Sequence, residues 1–123
     1  MNIKTYFILT TISCILFGLG FLVVPGVLAS LHGFDHMDDY ATLVMRLYGG
    51  GLISTGIMAW AVKEAGPSIA RKSILLYLII FDVFNTVLNL IFMTNNGAQP
   101  INYLELVVTV SFGVLAFYFW RKE

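Results

Sequence analysis

The chain has 123 residues, of which 59% are hydrophobic and 11% charged, and its seven basic and seven acidic residues leave no net charge. Ordinary soluble domains are about 25% charged, so this composition excludes one and indicates a membrane protein. Scattered basic residues without a net excess exclude the electrostatic footprint of nucleic-acid binding. The single cysteine, Cys14, excludes a disulfide framework, a CxxC pair and zinc-finger spacing.

Four apolar runs follow in order, at residues 5–28, 41–62, 73–94 and 101–120. Each is close to the roughly 20 residues that cross about 30 Å of hydrocarbon at 1.5 Å per residue. In the first, Lys4, an apolar stretch and Val27-Leu28-Ala29 resemble a secretory signal with a small-residue cleavage site. The apolar stretch exceeds the ~7 to 15 residues of a signal core, so it reads as a retained helix. A polar segment follows with His32, Asp35, His36, Asp38 and Asp39, where Asp38 or Asp39 can cap the second helix. After that helix, Gly66 is expected in the left-handed position that ends it, Pro67 blocks continuation, and Ser68 can cap the third helix. Residues 95–100, NNGAQP, read as a tight polar turn before the fourth.

Alternation of the four helices puts Lys4, Lys63, Arg71, Lys72, Arg121 and Lys122 on one side, whereas the two opposite loops contain no lysine or arginine. The positive side faces the cytoplasm, so both termini are expected there. Trp60 and Trp120 then fall at the inner interface, and Tyr40 and Tyr103 at the outer one. This is the aromatic belt of a multi-pass protein of the plasma or inner membrane. The expected architecture is a single all-α domain over residues 1–123, an antiparallel four-helix transmembrane bundle.

Three charges remain inside the apolar runs: Arg46, Asp82 and Glu105. Counted from the outer helix ends, Arg46, Asn89 and Glu105 lie about 6 to 9 Å deep and Asp82 about 17 Å deep. Arg46 is therefore expected to form a buried salt bridge with Glu105, and Asp82, with no cation at its depth, to carry its proton. Asp82, Asn85, Thr86 and Asn89 stand at i, i+3, i+4 and i+7, one face of the third helix. Thr42, Arg46, Gly49, Gly50, Ile53 and Trp60 are expected to share the inward face of the second. Asn102, Glu105, Thr109, Phe112 and Ala116 share that of the fourth. Such a polar cluster serves either as a ligand site or as hydrogen-bonding glue between helices.

Outside the membrane, His32, His36 and Asp35 are the residue types that hold zinc or copper, but their spacing matches no established ligand motif and a solvated loop with a helix cap explains them better. No serine or cysteine stands with a histidine and an acid at a common depth, so neither a self-contained enzyme nor a bound cofactor is expected. Gly49-Gly50-Gly51 lacks the strand and lysine of a phosphate loop and reads as packing.

The stretch RLYGGG from Arg46 to Gly51, the short basic start, the basic turn after the second helix and four helices in one small chain resemble the DoxX-like group of small membrane proteins. The resemblance implies a small membrane subunit linked to redox systems and carries over no catalytic residue. Small multidrug transporters are similar in length but place their essential acid in the first helix, which has none here. The expected function is an accessory subunit that packs against a larger membrane complex, its partners being the bilayer and other membrane subunits or further copies of itself. The alternative is binding or proton-linked transport of a small anionic, quinone-like or lipid ligand in an outer-half pocket of Arg46, Asn89 and Glu105, with Asp82 as proton site.

Overall fold

The computed structural model describes residues 1–123 and is all-helical: α1 (Ile3–Val23), α2 (Pro25–Leu31), α3 (Asp39–Val62), α4 (Ile69–Asn96) and α5 (Pro100–Lys122). By length and composition α1, α4 and α5 are long and apolar enough to cross a membrane, which points to a membrane protein. The fourth expected span, α3, is as long but falls short in apolarity. Arg46 and a high content of glycine, threonine and serine dilute its apolar residues. The chain forms two compact units, residues 1–64 and 65–123.

The first apolar run does not continue to Leu28 as one helix. It breaks at Val24 because Pro25 has no N–H and its ring collides with the carbonyl one turn back. Pro25 instead begins the separate helix α2. At the end of α2 the chain turns through Gly33, whose φ of 92° suits a residue without Cβ. Gly66 does not take the left-handed conformation expected of it; Gly97, with φ 80°, is the other glycine that does. The reason is that α3 already ends at Val62, where Lys63 N–H bonds to Trp60 O at 3.4 Å, leaving Gly66 in the loop beyond. The expected caps do form. Asp38 accepts from Ala41 N at 2.7 Å, and Ser68 Oγ accepts from Arg71 N at 3.1 Å.

In the first unit, α1 and α3 run antiparallel and are drawn together by small residues. A Cβ placed on Gly49 would lie 2.6 Å from Gly18 O and 2.8 Å from Leu22 N, and one on Gly18 would lie 2.8 Å from Gly49 O. Only glycine permits backbones this close. Lower down, Thr11 Oγ1 is 3.0 Å from Gly56 O across the interface and 2.9 Å from Phe7 O on its own helix, so one hydroxyl proton serves two carbonyls. The buried residues of α3 are Gly49, Leu52, Thr55, Gly56 and Ala59. Tyr6 and Phe7 of α1 are fully buried.

An exposed ion pair, Lys4 Nζ to Glu64 Oε1 at 2.6 Å, closes the end of this unit. The hydrogen bond from Lys4 holds the Glu64 carboxyl below its ordinary titration range, with further attraction from the Lys4 and Lys63 charges. A depressed folded value means that the contribution is present above the unfolded carboxylate range and is lost as pH falls through the lower, folded one. Solvent screening keeps it small. In Lys4→Gln the Glu64 midpoint followed by carbon-13 NMR is expected to move up; an unmoved midpoint would show that the pair does not form in solution.

The second unit is the antiparallel hairpin of α4 and α5. Its turn is tied by Gly97 N to Met93 O at 2.9 Å and by Gln99 N to Asn102 Oδ1 at 2.8 Å. At the opposite end Arg71 reaches fifty-two positions along the chain: its Nε donates to Glu123 Oε1 at 2.6 Å, and Nη1 donates to Ala65 O at 2.6 Å.

Candidate functional site

The richest polar constellation lies between α4 and α5. Because residues four and seven apart return to one helix face, Asp82, Thr86 and Asn89 of α4 meet a matching descending series on α5. Asn89 Nδ2 donates to Glu105 Oε2 at 3.3 Å and lies 3.2 Å from Asn102 O. Asn102 Nδ2 returns a bond to Asn89 Oδ1 at 3.1 Å. One turn lower, the hydroxyls of Thr86 and Thr109 are 2.9 Å apart. One turn lower again, Asp82 lies against Gly113, where an added Cβ would come within 3.2 Å of Asp82 Cβ.

The upper rungs are mutually satisfied. Asn102 is 1% exposed, yet its amide donates to Asn89 and its carbonyl accepts from Gln99 N. Asn85 donates to Phe81 O on its own helix at 2.7 Å. No fully buried side-chain nitrogen or oxygen lacks a partner, which is what a low-dielectric interior demands. Asp82 differs: half-buried, it makes no hydrogen bond.

Of the residues singled out from sequence, Asp82, Asn89 and Glu105 are thus gathered on one hairpin, with Asn85 beside them. Arg46 does not lie on the inward face of α3. It is exposed, as is Trp60. Three residues before Gly49, Arg46 is turned about 60° from it, on the side away from Leu52 and Ala59. The ion pairs stand at helix ends and are not fully buried: Lys4–Glu64 is exposed, and Arg71–Glu123 is part-buried at 2.5 Å from Nη2 to Oε1. They replace the picture of a buried salt bridge at membrane depth.

In the segment between α2 and α3, Asp35 and His36 are exposed and His32 is half-buried. His32 Nδ1 lies 2.6 Å from Leu28 O, a separation that requires this nitrogen to carry the proton, and its ring tilts against Phe21 at 6.5 Å. No group of three or more histidine, cysteine, aspartate or glutamate side chains is assembled as a metal-holding set.

Sequence reasoning missed Gly113, whose missing side chain admits Asp82, and the Arg71–Glu123 clasp. The first had a signal, since Gly113 follows Thr109 by one turn on the polar face of α5. The second had none, because Arg71 was already accounted for as an interfacial cation.

Compared with known proteins, the chain matches no family model, no curated protein and no solved structure.

Proposed function

We propose that the chain is a multi-pass protein of the cell membrane, its four long helices forming an antiparallel bundle with both termini cytoplasmic. We propose further that it acts as a small accessory subunit packed against a larger membrane complex. The observation that carries this reading is the mutual satisfaction of Asn89, Asn102, Glu105, Thr86 and Thr109. Groups so paired hold helices together and offer little to an incoming ligand. The helices and short connections occupy nearly the whole chain, and the DoxX-like layout around Arg46–Gly51 favours a redox complex as partner. Purification in mild detergent is expected to bring the chain down with defined membrane subunits in fixed stoichiometry. Recovery as a lone species would count against the reading.

Asp82 favours a second reading, binding or proton-linked transport of a small anionic, quinone-like or lipid ligand, because its carboxyl is left without a hydrogen bond in the middle of an apolar helix. A membrane-embedded acid of this kind is a functional position by default. Asparagine has nearly the same shape but does not titrate near neutral pH. For the accessory subunit, Asp82→Asn is expected to change stability by no more than about 0.5 kcal/mol and to leave association intact. If it instead abolishes a pH-dependent uptake or export while folding is unchanged, the second reading takes its place.

A further inference from the structure

The end of the second unit opposite its turn carries four basic residues, and the structure separates them by use. The Arg71 guanidinium is engaged by Glu123 and Ala65 O, leaving its side chain 12% and that of Glu123 5% exposed. The acid at this end is thereby consumed. Lys72, Arg121 and Lys122 remain exposed, with no acidic side chain of the unit paired to them. Lys72 Nζ stands 5.1 Å over the Trp120 ring, and Lys122 lies against Tyr118. Trp120 in turn stacks on Phe117.

Directly adjoining these cations is an outward-facing apolar surface, with Leu76, Tyr77 and Ile80 on α4 and Val114 and Phe117 on α5 exposed. Aromatic rings capped by cations mark the depth where hydrocarbon gives way to head groups. Three unpaired charges at that depth face the phosphate layer, and a guanidinium among them can grip a phosphate with two parallel hydrogen bonds.

We propose that Lys72, Arg121 and Lys122 form a docking surface for the phosphate head groups of anionic lipids. The proposal rests on the membrane-crossing reading of α4 and α5. Each charge removed is expected to weaken the preference for anionic over zwitterionic lipid about fivefold.

Trp120 is a built-in reporter, since the chain has two tryptophans and Trp60→Phe leaves it alone. The full chain carrying Trp60→Phe is reconstituted in phosphatidylcholine vesicles containing a small fraction of lipid brominated near the head group, either phosphatidylglycerol or phosphatidylcholine. Trp120 quenching is expected to be stronger with the brominated phosphatidylglycerol, to lose that excess in Lys72→Gln/Arg121→Gln/Lys122→Gln, and to keep it in Lys72→Arg/Lys122→Arg. Equal quenching by the two lipids, or an excess that survives the triple substitution, would overturn the proposal. So would an excess abolished by inorganic phosphate, which would mark a free-phosphate site. Brominated phosphatidylcholine that fails to quench at all would instead refute the membrane placement, so the two failures are distinguishable.

Discussion

Gly49→Leu is expected to be the most damaging single substitution in the first unit, costing about 3 kcal/mol or more. The clash is with backbone, at Gly18 O and Leu22 N, and backbone cannot rotate aside as a side chain can. Gly49→Ala already adds the offending Cβ and is expected to cost about 1 to 3 kcal/mol. The two glycines that follow provide the control, since a Cβ on Gly50 or Gly51 meets nothing within 4 Å. There alanine is expected to be neutral or to gain up to about 1 kcal/mol from helix propensity. Unfolding in detergent micelles, followed by circular dichroism, measures all of them. If Gly49→Ala proves as harmless as Gly51→Ala, the close approach of α1 and α3 does not hold in solution.

The second large effect is expected at Asn102. Asn102→Leu removes the donor to Asn89 Oδ1 and the acceptor of Gln99 N, leaving polar groups without partners where each costs about 1 to 3 kcal/mol. A total loss of about 2 to 4 kcal/mol follows. Asn89→Leu breaks the same rung from the other side, so the double variant should lose clearly less than the two single losses combined. Additivity to within about 0.5 kcal/mol would show the two asparagines to be energetically independent.

The long helices were legible because apolar runs bounded by cap residues leave the backbone few alternatives. Asp38 and Ser68 cap α3 and α4 as read from sequence. The polar face of α4 was legible because four polar residues in an apolar helix define a direction. The inward face of α3 was misread for the opposite reason. Three consecutive glycines point everywhere, and Gly49 is selected by what α1 brings against it, a contact that no local pattern encodes. The break at Pro25 was open to reading from its missing N–H, but the first run was defined by length and apolarity alone. The clasp of Arg71 and Glu123 depends on how two helices align over their full length, which neither helix specifies alone.

That clasp also has a history in time. Chain synthesis adds about 5 to 20 residues per second, so with fifty-two positions between them, Arg71 leaves the peptidyl-transferase centre about 3 to 10 s before Glu123 is made. During that interval the guanidinium has no acidic partner at this end of the hairpin. Only when α5 has followed does the carboxylate arrive and neutralise it. The clasp is thus a contact that only a completed α5 can close, the last tie of the finished hairpin.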